Sequence, residues 1–174
     1  MKFGIFITGL LVSLVMSNFA HATQDYVLGP GDQVEIKVFG QPDLEVIALL
    51  GNNGEVSYPF LGKIKLAGLS TTQVENLITQ GLKPDYLVNP NVYVQVTEYR
   101  PFYIHGEVKN PGAYPYQPAM TVNQAVALAG GLTERASLDK IYIFKEQTKE
   151  QQMNGNLNSQ IAAGDTIKIE QRLF

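Results

Sequence analysis

Apolar and polar residues alternate along several short segments of the chain, which predicts strands that bury one face. The period of two runs through Val34–Val38 and recurs at Val92–Val96. It appears again near the end of the chain, at Ile167–Ile169. Apolar runs bounded by turn residues predict further strands at Phe102–His105, Ala113–Tyr116 and Ile141–Phe144.

Glycine, proline and asparagine mark the connections between these segments. Asn53-Gly54 lies between the apolar segments Val46–Leu50 and Val56–Tyr58, and it predicts a tight hairpin because both residues tolerate positive φ. Asn110-Pro-Gly112 predicts a turn between two later strands. The polar, mostly uncharged stretch Thr148–Ala163 predicts a loop.

The segment Leu69–Val74 predicts the start of a helix. Ser70 caps the helix, Gln73 reaches back to it, and the apolar residues on either side form a staple. Gly81 together with Pro84 predicts the end of the helix. The buried stripe is predicted to contain Val74, Leu77, Ile78 and Leu82.

A second helix start repeats this logic later in the chain. Thr121 is the predicted cap, and Gln124 follows it at the spacing of a capping box. Gly130 or Gly131 can take the left-handed conformation that ends a helix. The buried stripe is predicted to contain Val122, Ala125, Val126 and Ala129.

A Gly-Asp pair precedes an alternating strand twice, at Gly31-Asp32 and at Gly164-Asp165. Each half of the chain thus combines a Gly-Asp strand, a hairpin and one helix with a glutamine capping box. We therefore predict an α+β fold of two small mixed units that meet near Tyr99–Pro101.

The amino terminus has the pattern of a secretory signal peptide. Lys2 is followed by an apolar run from Phe3 to Phe19 and by Ala20-His21-Ala22, so residues 1–22 are expected to be removed by cleavage after Ala22. A retained membrane anchor is the alternative, and it is disfavoured because the run is shorter than the roughly 20 apolar residues that span a bilayer.

Composition narrows the classes of function. The formal net charge is −3 at pH 7, whereas nucleic-acid-binding proteins are usually basic. The chain contains no cysteine, so it has no disulfide, no thiolate metal site and no thiol nucleophile. A cysteine-free exported protein fits a bacterial periplasm.

Catalytic chemistry is poorly supported by the sequence. His105 is the one histidine after the predicted signal peptide, and general acid–base work requires partners within reach. Asp32 and Asp165 follow glycines, where their default role is to accept hydrogen bonds from nearby backbone N–H groups. We predict no catalytic residue, metal site or cofactor.

Aromatic residues cluster between positions 99 and 116. Tyrosine faces pack on sugar rings while their hydroxyls hydrogen-bond, so Tyr99, Tyr103, Tyr114 and Tyr116 are candidate polysaccharide contacts. The preference of aromatic residues for strands explains much of the same placement. Both interpretations stay open.

The first half of the chain resembles the polysaccharide export domain of bacterial outer-membrane polysaccharide export proteins. The resemblance rests on Tyr26–Asp32, on Gly54–Gly62 and on Ala67–Leu69. The second half is similar to the soluble-ligand-binding β-grasp module that follows that domain, through His105–Gly112 and Ala129–Leu132. The resemblance implies a signal peptide at 1–22, an export domain at 23–99 and a β-grasp domain at 100–174.

The same resemblance implies a non-enzymatic role in capsule or exopolysaccharide secretion. It implies a ring homo-oligomer with a conduit for the polysaccharide, docked on an inner-membrane polysaccharide co-polymerase. Better-known members are lipoproteins that end in a membrane helix. Because this chain lacks an acylatable cysteine and such a helix, it resembles a short periplasmic form that serves a separate outer-membrane β-barrel. The alternative is a monomeric carbohydrate-binding module without a conduit role.

The remaining candidate residues are structural rather than chemical. They are expected to shape turns and caps through their backbone conformations, and they comprise Gly29, Pro30, Gly31, Asp32, Gly106, Pro111, Gly112, Gly130 and Gly131.

Overall fold

The structure is a computed structural model that describes residues 25–146 and 152–172. The expected signal peptide and its cleavage site after Ala22 lie outside these residues. Helices and sheets mix in both halves of the chain, which confirms the α+β prediction. The strands are β1 (Gln33–Val38), β2 (Val46–Leu49), β3 (Glu55–Tyr58), β4 (Gly62–Lys65), β5 (Val92–Glu98), β6 (Phe102–Gly106), β7 (Gly112–Tyr114), β8 (Ala136–Phe144), β9 (Gln152–Gly155) and β10 (Thr166–Gln171). The α-helices are α1 (Thr71–Leu82) and α2 (Val122–Leu128).

The first half of the chain forms a three-stranded antiparallel sheet in the order β2-β1-β5, and a separate β3–β4 hairpin. The predicted alternation is confirmed in β1, because Val34, Ile36 and Val38 are buried. These side chains join one core with α1 and the hairpin.

Helix α1 begins at the predicted capping box. The N–H of Ser70 donates to the Gln73 side chain at 2.8 Å, and the N–H of Gln73 donates to the Ser70 hydroxyl at 3.3 Å. The buried stripe consists of Val74, Ile78 and Leu82, whereas Leu77 is 40% exposed. Spacings of four keep those three side chains on one line, and Leu77 falls on its flank.

Helix α1 ends between Gly81 and Pro84, the two residues that together were predicted to stop it. The helix continues through Gly81 to Leu82, and Lys83 is extended. The residue before a proline is disfavoured in helical conformation, so Pro84 is the effective stop signal.

The second half of the chain forms a five-stranded sheet in the order β7-β6-β10-β8-β9. Strand β10 is parallel to β6 and antiparallel to β8. Phe102 and Ile104 of β6 pack with Ile167 and Ile169 of β10 in a second core that includes α2. A mixed sheet whose first and last strands are central and parallel agrees with the predicted β-grasp-like arrangement.

Helix α2 also begins at its predicted capping box. The N–H of Thr121 donates to the Gln124 side chain at 2.9 Å, and the return bond to the Thr121 hydroxyl is 3.5 Å long. Gly130 and Gly131 both have positive φ, of 79° and 96°. The N–H of Gly131 donates to the carbonyl of Val126 at 2.9 Å, so the helix ends at this glycine pair as predicted.

Two predicted connections differ from the structure. Asn53-Gly54 does not join a hairpin, because β2 pairs with β1 and β3 pairs with β4. The local turn is present, with Gly54 at φ 69°, but it leads the chain from one sheet to another. The predicted loop Thr148–Ala163 contains strand β9, which pairs with β8, and its residues 148–151 lie outside the described part.

The segments that lead into the two Gly-Asp turns make equivalent backbone hydrogen bonds in the two halves of the chain. Four residues before Asp32, the N–H of Leu28 donates to the carbonyl of Leu69 at 2.9 Å. The equivalent N–H of Ile161 donates to the carbonyl of Met120 at 3.0 Å. Leu69 and Met120 each precede the cap of a helix, so both halves join a Gly-Asp turn to a helix start. In the first half the turn precedes its helix, and in the second half it follows.

Candidate functional site: the Arg100 junction

The turn before β1 is closed by its aspartate. The Asp32 carboxylate is fully buried and accepts a hydrogen bond from the N–H of Gly29 at 2.8 Å. It also accepts the N–H of Arg100, which lies beyond β5, at 2.8 Å. Asp32 therefore bonds the turn to the segment that leaves the first half of the chain, which extends the local role predicted for it.

The Arg100 side chain connects the two halves. Its Nη1 lies 2.7 Å from Asp32 Oδ2 and donates to the Tyr26 hydroxyl at 2.6 Å. Its Nε lies 2.7 Å from Glu146, just beyond β8. The guanidinium side chain is only 11% exposed, so its charge is stabilised mainly by these partners. We call Tyr26, Asp32, Arg100 and Glu146 the Arg100 junction.

Glycines provide the space that this junction occupies. A Cβ at Gly29 would lie 2.7 Å from Arg100 Cζ, and a Cβ at Gly164 would lie 2.4 Å from Glu146 Oε2. Gly31 has a φ of 93°, which a larger residue rarely adopts. The Gly-Asp turns of both halves therefore lie against Arg100.

The second Gly-Asp turn has the same internal bond as the first. The Asp165 carboxylate accepts the N–H of Ala162 at 2.7 Å, as Asp32 accepts the N–H of Gly29. It also lies 2.7 Å from Lys145 Nζ. Each buried aspartate thus has one cationic partner, as buried charges require.

Tyrosines surround the junction. The rings of Tyr26 and Tyr99 meet edge to face with centroids 4.8 Å apart, and Tyr99 meets Tyr116 at 5.7 Å. Burial and the hydrogen bond to Asp32 raise the pKa of Tyr26 well above its usual value. Burial also raises the pKa of Tyr99 and of Tyr116. These hydroxyls stay protonated at neutral pH, which suits hydrogen bonding and packing rather than base catalysis.

The four candidate tyrosines do not form one surface. Tyr99 and Tyr116 lie together at the junction, whereas Tyr103 is 48% exposed on β6. Tyr114 stacks on Phe102 with centroids 6.0 Å apart and donates to the Asn110 carbonyl at 2.6 Å.

Asn110 and Pro111 lie in the turn before β7, which begins at Gly112, and Asn110 bonds to the end of α2. The N–H of Asn110 donates to the Ala129 carbonyl at 2.9 Å, and the N–H of Lys109 donates to the Gly131 carbonyl at 3.0 Å. A Cβ at Gly130 would lie 2.5 Å from the Asn110 side-chain nitrogen. The glycine pair therefore ends the helix and also receives the preceding loop.

Sequence reasoning missed Tyr26, Arg100 and Glu146 as members of this site. Tyr26 lies six residues before Asp32, and a search around the Gly-Asp motif could have found it. Arg100 and Glu146 have no local signal, because their partners are distant along the chain. His105 is exposed on β6, opposite Lys168 of β10.

Residues 25–146 and 152–172 were searched for membrane-spanning helices and for metal sites. No helix in this part of the chain has the length and apolar character needed to cross a membrane. No group of three or more histidine or acidic side chains in these ranges is arranged to hold a metal ion.

Comparison with known proteins agrees with the two halves of the structure. Residues 20–97 match the model of the polysaccharide biosynthesis/export protein family, and residues 101–156 match the SLBB domain. The chain is similar to the polysialic acid transport protein KpsD of Escherichia coli, with 31% identity over 85% of this chain and 28% of that protein. It is also similar to the exopolysaccharide production protein ExoF of Rhizobium meliloti, with 35% identity over 71% of this chain and 32% of that protein.

A third relative is the EPS I polysaccharide export outer membrane protein EpsA of Ralstonia nicotianae. It is 28% identical over 95% of this chain and 46% of its own length. The chain therefore belongs to the polysaccharide export protein family. It spans about a quarter to a half of the length of these relatives.

Proposed function

We propose that this protein is a periplasmic component of a capsule or exopolysaccharide export machine, and that it guides the polysaccharide toward an outer-membrane channel. The observation that carries the proposal is the match of both halves of the chain, in order, to an export family model and an SLBB domain. The Arg100 junction supports a scaffold role, because it uses its buried charges to bond the two halves together rather than to form a reactive group. The role is non-enzymatic.

We extend this proposal to the division of the chain, with an export domain at 23–99 and a β-grasp domain at 100–174. Separate buried cores on either side of Tyr99 and Arg100 support that division. The partners in this proposal are the polysaccharide, an inner-membrane polysaccharide co-polymerase and a separate outer-membrane β-barrel. In this proposal the protein lies in the periplasm and associates with the outer membrane through these partners.

Self-association into a ring is part of the same proposal, and strand β2 supports it. This strand is an edge of its sheet and contains no charged residue. Ile47 is 61% exposed and Leu49 is 65% exposed on it. An exposed apolar edge strand pairs readily with another chain unless something covers it. We propose that a second copy of this chain covers β2.

Polysaccharide contact by Tyr99, Tyr103, Tyr114 and Tyr116 also remains a proposal. Tyr103 is the best placed of the four, because nearly half of it is exposed on a sheet face that it shares with His105. Tyr114 is the least suited, since its ring packs on Phe102 and its hydroxyl already donates to a backbone carbonyl.

Deletion of the gene tests the export role. The expected result is that polysaccharide accumulates inside the cell while its synthesis continues, and that the full-length gene restores secretion. A deletion strain that secretes normal amounts of polysaccharide would refute the proposal.

Native mass spectrometry of the mature protein tests the ring, alone and with the periplasmic domain of the co-polymerase. An oligomer that is lost in Ile47→Lys supports assembly through β2. A monomer under both conditions would favour the alternative, a carbohydrate-binding module without a conduit role.

A further inference from the structure

The tip of the β3–β4 hairpin presents an aromatic residue in an unusual backbone conformation. Phe60 has a φ of 64°, in the left-handed region, and its side chain is 63% exposed. Bulky residues rarely adopt this conformation, whereas glycine adopts it without strain. Hydrophobic burial does not explain why phenylalanine occupies this position, because most of the residue's surface is exposed. Strain of this kind is concentrated at functional sites.

Two contacts hold this tip against the last turn of α1 and the segment that follows the helix. Leu61 packs over Gly81, where a Cβ would lie 2.9 Å from both Leu61 methyl carbons. The ring of Phe60 stacks on the ring of Tyr86, with centroids 4.6 Å apart and planes inclined by 32°. The aromatic pair is therefore preorganised rather than a loose loop end, and preorganisation reduces the entropy lost on binding.

The chemistry around the pair is mixed. Tyr86 is 48% exposed and Phe60 is 63% exposed, so part of the apolar surface of the pair faces solvent. Exposed charged residues border it along the chain, namely Lys63 in β4 and Lys83 and Asp85 after α1. A stable protein interface includes about 20–30 residues on each partner, which is far more than these two side chains. Two exposed aromatic side chains with polar neighbours suit a single sugar ring, because the aromatic surface packs on its apolar face and the polar groups bond to its hydroxyls.

We propose that Phe60 and Tyr86 form a stacking site for a sugar ring of the exported polysaccharide. The apolar C–H face of the sugar packs on the exposed aromatic surface, and the Tyr86 hydroxyl and the lysine ammonium groups donate hydrogen bonds to sugar oxygens. Both residues of this site belong to the first half of the chain, and neither is one of the candidate tyrosines at positions 99–116. The inference rests on the proposed export function, which supplies the polysaccharide.

The test measures binding of the polysaccharide purified from the strain that encodes this chain, by affinity electrophoresis of the full mature protein. Phe60→Gly removes the ring and suits the positive φ, so its thermal unfolding midpoint should equal or exceed that of the unchanged protein. Both Phe60→Gly and Tyr86→Ala should weaken binding at least tenfold. Phe39→Ala is the matched control, because Phe39 is a similarly exposed phenylalanine, at 65%, and its loss should change affinity less than twofold.

Three results would overturn the inference. The first is undetectable binding of this polysaccharide by the unchanged protein, and the second is equal affinity of Phe60→Gly and the unchanged protein. The third is unchanged polysaccharide binding by Phe60→Gly with lost association to the periplasmic domain of the co-polymerase, which would make the pair a protein contact.

Genetic results separate this inference from the export proposal. Normal secretion by the deletion strain would refute the export role itself. Trapped polysaccharide in the deletion strain, together with full secretion and full binding by Phe60→Gly, would refute only the stacking site.

Discussion

The guanidinium of Arg100 and the carboxylate of Asp32 form a buried ion pair, with 2.7 Å between Nη1 and Oδ2. Asp32 precedes β1 and Arg100 follows β5, so the pair joins the ends of two neighbouring strands. The same guanidinium reaches Glu146 of the second half at 2.7 Å. One side chain therefore stabilises the first sheet and also links it to the second half of the chain.

Removal of Arg100 should be strongly destabilising. In Arg100→Ala the carboxylate of Asp32 stays buried and loses its counter-charge, and such losses cost about 3–5 kcal/mol. We expect the free energy of unfolding, measured by urea denaturation, to decrease by that amount. Lys168→Ala is the control, since it removes an ion pair with Glu170 in which both side chains are more than a third exposed. Equal stability of the two variants would contradict a structural role for the Arg100 junction.

Gly106 should tolerate alanine much less well than Gly131. Both glycines have φ near 95°, so the backbone conformation strains an alanine at either position to a similar degree. A Cβ at Gly106 would lie 2.1 Å from the carbonyl oxygen of Ile169, whereas no atom lies within 4 Å of a Cβ at Gly131. Because the obstacle is the backbone of β10, relief requires the paired strands β6 and β10 to separate.

We expect Gly106→Ala to lower the free energy of unfolding by about 2 kcal/mol more than Gly131→Ala, within the range for overpacked sites. Thermal and urea unfolding of the two variants measures this difference. Similar losses would mean that the strands adjust at little cost.

Local signals in the sequence predicted the local parts of the fold. The alternation at Val34–Val38 gave a strand, and the spacing of Ser70 and Gln73 gave a capped helix, because both patterns depend on neighbours a few residues away. Asn53-Gly54 correctly predicted a turn but wrongly predicted that the strands on either side of it pair as a hairpin. A turn signal does not state which strands pair, and β2 finds its partner in β1.

Long-range contacts left no comparable signal. Arg100 bonds to residues 68 positions before it and 46 positions after it, and no periodic pattern marks such a residue. Strand β9 was missed because its sequence, Gln152–Gly155, is polar and lies at a sheet edge where one side of the strand has no partner in the sheet. Its pairing with β8 supplies the structure that its composition does not predict.

Alkaline pH should reveal the environment of Tyr26. Its pKa is raised in the folded protein, first by burial and then by Asp32, while the unfolded chain has a value near 10. Above pH 10 the unfolded chain therefore releases a proton that the folded protein retains, and stability falls as pH rises. Tyr26→Phe should show a shallower loss of unfolding free energy between pH 9 and about 11.5 in urea titrations. Parallel curves for both proteins would show that Tyr26 ionises equally in both states.

The capping box of α1 should contribute measurably because Ser70 joins two features of the fold. Its hydroxyl accepts the N–H of Gln73, and Ser70 forms a β-bridge with Val27 beside the first Gly-Asp turn. Ser70→Ala leaves the helix N–H without this acceptor at a residue that is only 8% exposed, so water replaces the bond poorly. Loss of a serine cap costs about 1 kcal/mol, and we expect at least that decrease in the free energy of unfolding.

Ser57→Ala is the control for the cap, because Ser57 is exposed on β3 and should change stability by less than about 0.5 kcal/mol. Urea denaturation of both variants, followed by far-ultraviolet circular dichroism, measures the difference.

Thr121→Ala extends the comparison to α2, whose return bond is longer, at 3.5 Å against 3.3 Å. A longer bond at a more exposed cap is weaker, so Thr121→Ala should cost less than Ser70→Ala. The reverse order would show that the second cap, and not the first, is the more important for folding.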